Sequence, residues 1–104
     1  MALRRYVCDV ADVVAGELRS FTVEGVTWPV LATVLDGAIV VSAGVCPHED
    51  VSLAGGMLMG ASVICPGHGY RFDLRTGRCG HRKQLELRRY PVTIVDGQVW
   101  VDLL

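Results

Sequence analysis

The chain has 104 residues, of which twelve are glycines and 51% are hydrophobic. This length allows one modest core but not two domains, and the hydrophobic content argues against a disordered chain. A net charge of −1 gives no overall attraction to nucleic acid, and no run reaches the roughly 18 apolar residues of a membrane span. The Arg pair near the amino terminus is not followed by an apolar run of signal-peptide length. We therefore expect a soluble cytoplasmic protein that partners neither nucleic acid nor membrane.

The first third of the chain predicts antiparallel strands rather than helices, because short β-rich runs alternate with glycine, proline and Asp-Gly signals. Three early strands are expected at residues 3–8, 19–23 and 26–35. Asp9 is expected to cap one or two turns of helix running from Val10 toward Gly16. Such a helix is too short to change an all-β fold class.

Two Asp-Gly pairs predict tight hairpins, because this dipeptide favours the two-residue turn that suits the twist of paired strands. The paired segments are residues 32–35 with 38–42 around Asp36-Gly37, and residues 92–95 with 98–102 around Asp96-Gly97. In the last strand the period of two places Val99 and Val101 on one face and Trp100 on the other. This final hairpin is expected to close the domain.

The middle of the chain, residues 43–80, differs in composition, since it holds ten of the sixteen glycine and proline residues. Short β-rich pieces such as residues 61–64 lie between them. We interpret this segment as a small insertion carried by the β framework. Residues 1–104 are expected to form one antiparallel all-β domain.

Four candidate metal ligands lie in two short, similar phrases: Cys46-Pro-His48 and, sixteen residues later, Cys65-Pro-Gly-His68. Thiolate and imidazole are soft and borderline ligands, so two close Cys and His pairs favour a metal site over four unrelated side chains. Structural zinc usually binds pairs spaced C-x2-4-C or H-x3-5-H, which these phrases fit poorly, so zinc stays open but is not favoured. A [2Fe-2S] cluster with two Cys on one iron and two His on the other explains why each phrase supplies one of each.

The two phrases resemble the Rieske iron-sulfur motif, C-x-H-x15-17-C-x2-H, and the similarity continues through Tyr70-Arg-Phe-Asp73 and Thr76-Gly77. By this resemblance, which covers essentially the whole chain, Cys46 and Cys65 bind one iron of a single [2Fe-2S] cluster, and His48 and His68 bind the other iron. The resemblance also implies a Rieske-like antiparallel β-sandwich, with the cluster held in a small subdomain at about residues 43–80.

Departures from the motif indicate a low-potential subtype. In the respiratory-complex type each loop carries a further cysteine and the two form a disulfide, but here Val51 and Gly67 stand at those positions, so that disulfide cannot form. The same type supplies serine and tyrosine hydroxyls as donors to the cluster sulfurs, where this chain has Tyr70 and Phe72. A missing hydroxyl disfavours reduction, which predicts a potential toward the low end of the roughly −150 to +300 mV range of Rieske centres.

The expected function is electron transfer rather than catalysis, because beyond the cluster motif we find no nucleophile and base pair and no phosphate loop. The resemblance is strongest to the ferredoxins that pass single electrons from a flavoprotein NAD(P)H reductase to the terminal oxygenase of an aromatic-ring-hydroxylating, catabolic system. Small subunits of NADH-dependent nitrite reductase look similar. A zinc-binding adaptor and an iron-sulfur redox sensor are alternatives from a different class.

Partner docking is expected where the outward edges of His48 and His68 reach the surface, in small and transient contacts. Because oxidised iron withdraws electrons from imidazole, reduction is also expected to couple to proton uptake at these rings. Seven cations cluster nearby in the sequence, and they form either a solvated face or a docking surface. They are Arg71, Arg75, Arg78, Arg82, Lys83, Arg88 and Arg89.

The remaining cysteines, histidine and tryptophans have simpler interpretations. Cys79 and His81 form a third Cys-x-His pair, which with the second phrase gives an alternative zinc pattern, C-x2-H-x10-C-x-H; the simpler interpretation is a loop thiol and a surface histidine. Cys8 is expected to be a small buried hydrophobic residue. Trp28 and Trp100 are expected to pack in the framework rather than relay electrons.

Overall fold

The computed structural model describes residues 3–48, 50–67 and 69–103. The strands in chain order are β1 (Arg4–Asp9), β2 (Arg19–Phe21), β3 (Val30–Leu35), β4 (Ala38–Ala43), β5 (Met57–Met59), β6 (Ser62–Ile64), β7 (Arg71–Asp73), β8 (Arg89–Tyr90), β9 (Val92–Val95) and β10 (Gln98–Asp102). Short 3-10 turns at Val10–Asp12 and Leu53–Gly55 are the helical elements of the described chain. In the described residues, no helix has the length and apolar composition needed to cross a bilayer.

The strands form three antiparallel sheets, with orders β1-β10-β9, β2-β3-β4-β8 and β5-β6-β7. The first two sheets share one hydrophobic core between them. The third sheet is built entirely from the middle of the sequence. The predicted antiparallel all-β class is confirmed.

Both Asp-Gly pairs form the predicted hairpin turns. In each pair the two residues have positive φ, at 51° and 79° for residues 36 and 37 and at 49° and 76° for residues 96 and 97. These are the values that a type I′ turn requires, and an aspartate tolerates them better than a branched residue does. Strand pairing starts at the residues that flank each turn.

The faces of β10 also follow the prediction. Val99 and Val101 are fully buried, whereas Trp100 lies on the other face and packs edge-on against Tyr6, with ring centroids 5.7 Å apart. A bulge in β1 between Tyr6 and Cys8 breaks the strict alternation. Cys8 is only 3% exposed, which confirms that it is a buried hydrophobic residue.

The strand predicted over residues 26–35 begins only at Val30, so its first part is wrong. The backbone N–H of Val26 donates to the Val23 carbonyl at 3.1 Å and closes a turn, and Pro29 has no N–H to offer a ladder. Trp28 lies in this segment and is 51% exposed, so the prediction that it packs in the framework is also wrong. β2 likewise ends at Phe21, two residues earlier than predicted.

The predicted helix after Asp9 is a single 3-10 turn. The backbone N–H of Asp9 donates to the Asp12 side chain at 3.0 Å, and the N–H of Val13 donates to the Val10 carbonyl at 3.1 Å. Val13 then adopts an extended conformation and buries its side chain. Burial of this valine in the core ends the helical turn well before Gly16.

Two separate cores flank β3, which is buried on both faces. The first core comprises Val7, Cys8, Val13, Val23, Val30, Ala32, Val41, Tyr90, Val99, Val101 and Leu103. The second core comprises Leu31, Leu35, Cys46, Leu53, Val63, Cys65, Phe72, Leu74, Cys79 and Leu87. Because side chains alternate along a strand, β3 sends Val30 and Ala32 to the first core and Leu31 and Leu35 to the second. The framework therefore supports the middle segment through a shared strand.

Candidate metal centre

The first loop, residues 45–52, is a hairpin tip that follows β4. An isolated antiparallel bridge joins its two ends, and the backbone N–H of Cys46 donates to the Val51 carbonyl at 2.9 Å. Cys46 therefore stands at the base of the loop and is 1% exposed. His48 lies nearer the tip and is half-buried.

The second loop, residues 64–71, joins β6 to β7 and has the same closure. The backbone N–H of Cys65 donates to the Tyr70 carbonyl at 2.8 Å, again five residues further along, and Cys65 is 1% exposed. Gly69 has φ +72° and donates its N–H to the Cys65 carbonyl at 3.0 Å, so this turn needs a residue that accepts left-handed backbone. His68, the fourth predicted ligand, lies outside the described residues.

A ring contact joins the two loops. The imidazole of His48 lies against the phenol ring of Tyr70, with centroids 4.2 Å apart and planes tilted by 38°. Cys46 and Cys65 belong to the same second core, and neither forms a disulfide. The structure thus places Cys46 and Cys65 in one core and brings the ring of His48 against the loop that carries Cys65.

The donors present fit a [2Fe-2S] cluster held by two thiolates and two imidazoles. The buried thiols lie at the loop bases and the imidazole of His48 lies closer to the surface, so the two ligand types occupy different depths. Within residues 3–48, 50–67 and 69–103, no three side chains of His, Cys, Asp or Glu gather closely enough to hold a metal ion.

A third loop, residues 79–85, packs against the second loop, and the motif does not predict it. The imidazole of His81 stacks on Tyr70, with centroids 5.5 Å apart and planes 19° from parallel. Tyr70 therefore contacts both His48 in the first loop and His81 in the third. No periodic signal marks this contact in the sequence, and only the third Cys-x-His pair singles out His81.

Two backbone hydrogen bonds fix His81 in this position. Its Nδ1 accepts from the N–H of Arg71 at 3.3 Å, and its own N–H donates to the Sγ of Cys79 at 3.4 Å. Cys79 is buried in the second core while His81 is exposed. These positions confirm the interpretation of a loop thiol and a surface histidine; the alternative zinc pattern also needs His68, which is not described.

Two of the cations of residues 71–89 are engaged in contacts with the β framework. Arg75 forms an ion pair with Asp36, on the turn between β3 and β4. Arg88 places its guanidinium 4.8 Å from the centroid of the Tyr90 ring. These two side chains contribute to the framework, so the basic segment is not one uniform face.

Comparison with protein families and curated proteins places the chain among known sequences. The model of the Rieske [2Fe-2S] domain matches residues 4–91. The ferredoxin component of the p-cumate 2,3-dioxygenase system of Pseudomonas putida is 35% identical over 100 residues, which cover 93% of this chain and 83% of that protein.

Solved structures give the same result. The Sphingomonas yanoikuyae B1 ferredoxin superposes with a TM-score of 0.86 at 33% identity, covering 95% of this chain and 97% of that one. A chain in a complex of reduced oxygenase and oxidised ferredoxin of carbazole 1,9a-dioxygenase has a TM-score of 0.83 at 26% identity, over 95% of this chain and 92% of that one.

Proposed function

Because the chain belongs to the Rieske [2Fe-2S] domain family, we propose that it is the ferredoxin of a ring-hydroxylating oxygenase system. It is a one-electron carrier and not a catalytic oxygenase, as its relatives are ferredoxin components of dioxygenase systems. The observation that carries the proposal is the pair of matching loops, each with a buried cysteine at its base, in a chain that aligns with such a ferredoxin over 93% of its length.

The proposed ligands are Cys46 and Cys65 on one iron and His48 and His68 on the other. Support comes from the donor chemistry, from the shared burial of both thiols and from the contact between His48 and the second loop. When bound, a [2Fe-2S] cluster takes up and releases one electron. We also propose that residues 43–80 act as the cluster-binding subdomain of a single domain over residues 1–104.

The proposed partners are a flavoprotein reductase that uses NAD(P)H and a terminal oxygenase, each bound transiently. The carbazole 1,9a-dioxygenase complex pairs a ferredoxin with an oxygenase, which supports the second partner. A cytoplasmic site of action is part of the proposal, and it is supported by four cysteines that form no disulfide, because disulfides are rare in a reducing compartment. A low reduction potential of the cluster remains a prediction. It is supported by Phe72, which is fully buried and has no hydroxyl to donate to the cluster sulfurs.

The ligand assignment is tested by single alanine substitutions of Cys46, His48, Cys65 and His68. Each is expected to abolish stoichiometric iron and acid-labile sulfide, together with the visible absorbance and the EPR signal of the reduced protein. Cys79→Ala is the matched control, since it removes a buried free thiol outside the proposed set. Loss of the cluster in the control with retention in His48→Ala would overturn the assignment, and a colourless protein containing zinc would overturn the cluster.

The carrier function is tested separately with the loaded wild-type protein. The reductase and oxygenase components of the p-cumate 2,3-dioxygenase system serve as probes, since their own ferredoxin is 35% identical to this chain. Addition of the protein in place of that ferredoxin is expected to restore electron flow from NAD(P)H to the oxygenase. A loaded protein that neither accepts nor delivers electrons would instead support a redox sensor.

A further inference from the structure

The third loop lies beside the route by which an electron would leave the proposed cluster. His81 stacks on Tyr70, and Tyr70 contacts the ring of His48 at 4.2 Å. The hydrogen bonds from Arg71 to His81 and from His81 to Cys79 hold the loop in this place. A protein that covers the third loop therefore also approaches His48.

The third loop presents two positive charges at the surface. Arg82 and Lys83 are exposed, and the guanidinium carbon of Arg82 lies 5.9 Å from the centroid of the Tyr70 ring. In the described parts of the chain neither side chain forms an ion pair, unlike Arg75 with Asp36. No acidic residue lies within residues 79–85.

The rest of the molecule has the opposite balance. Net charge is −1, and the first fifty residues carry seven acidic residues against three arginines. An acidic surface would therefore be repelled by much of the protein and attracted at the third loop. Charge steering of this kind orients an encounter and raises its rate by factors of about 10 to 1,000.

We propose that the third loop, residues 79–85, is the docking surface for an acidic face on a redox partner protein, with Arg82 and Lys83 as its charges and His81 as its attachment to the metal centre. This inference rests on the proposed electron-carrier function. When a partner docks on this loop, the edge of His48 faces that partner. The charge on this loop, rather than the total charge of the chain, sets the rate of productive docking.

The test uses the cluster-loaded protein and gold electrodes coated with carboxylate-terminated monolayers, which imitate an acidic face. Arg82→Gln/Lys83→Gln is compared with Arg75→Gln/Arg89→Gln, a control from the same basic segment with the same change in total charge. The wild-type protein and the control are expected to exchange electrons rapidly at low ionic strength. The third-loop variant is expected to exchange electrons about tenfold more slowly, and added salt should remove the difference.

Solution titration with neutral mediators gives the midpoint potential of each variant, so that rates are compared at equal driving force. Equal slowing of both double variants, an unchanged rate in the third-loop variant, or no exchange by the wild-type protein at the carboxylate surface would overturn the proposal. A wild-type protein that holds no cluster, or takes up no electron from the mediators, would refute the proposed function itself. The two failures are therefore distinguishable.

Discussion

Cys8 is buried in the first core, where low polarity disfavours its thiolate. Burial raises the pKa of this thiol from its ordinary 9.0 to about 11, with smaller contributions from Asp12 and Asp9. The folded pKa lies above the unfolded one, so the stabilisation is fully present below about pH 9 and is lost as pH rises toward 11. The loss amounts to about 2 to 3 kcal/mol.

Denaturant unfolding of the wild-type protein and Cys8→Ala between pH 8 and pH 11 measures this contribution. The alanine variant is expected to be less stable at pH 8, because it removes a buried sulfur, but to lose less stability at alkaline pH. Tyr6→Phe is the control for a second alkaline group, since a hydrogen bond to Asp9 raises the pKa of Tyr6 to about 12. Equal losses of stability in wild type and Cys8→Ala would contradict the assignment.

The proposed ligand residues could be singled out from the sequence because their identity and spacing are themselves the chemical signal. The positions of Cys46 and Cys65 at loop bases agree with the sequence pattern that predicted a metal site. The contact of Tyr70 with His48 and His81 was not predictable in this way. Aromatic stacking depends on how separate loops fold over one another, which neither composition nor period reveals.

Among the elements, the turn after β7 depends on a close approach between two backbone segments. A Cβ atom at Gly77 would collide with the Leu87 carbonyl oxygen, and the glycine has φ +82°. The same approach lets the N–H of Leu87 donate to the Gly77 carbonyl at 2.7 Å. This pairing holds the chain beyond the third loop against the second core.

Gly77→Ala is expected to lower the free energy of unfolding by roughly 3 kcal/mol or more, because the collision adds to the cost of left-handed backbone. Gly16→Ala is the matched control, since Gly16 has φ +83° but open space around its Cβ position. The control should lose only about 1 to 2 kcal/mol. Urea unfolding measures both values, and equal losses would show that the close approach is unimportant.

Hairpins were the most predictable elements, since the two-residue turn requires positive φ at two successive residues and an Asp-Gly pair tolerates it. Strand starts were less predictable: Val26, Thr27 and Trp28 favour strands, yet the N–H of Val26 closes a local turn onto Val23 and Pro29 has no N–H to donate. The predicted helix from Val10 toward Gly16 was wrong for a related reason, because burial of Val13 favours an extended backbone there. In both cases tertiary packing overrides local preference.

At the scale of the whole molecule, the division into two cores separates stability of the framework from stability of the metal centre. Both proposed cysteine ligands lie in the second core, whereas β1, β9 and β10 pair in a sheet that packs on the first. The two cores meet along β3. A protein built in this way can lose order around the metal centre without losing its framework.

Removal of the cluster by chelation is therefore expected to have a local effect. Amide hydrogen exchange should accelerate strongly in β5, β6 and β7, because the two proposed thiolate ligands in their core lose the cluster that would tie the loops together. Val99 and Val101 in β10 are the internal control, since they are fully buried in the first core and should keep their protection. A uniform loss of protection would mean that the two cores unfold as one cooperative unit. In that case β3, which is buried on both faces, would transmit the loss from the second core to the first.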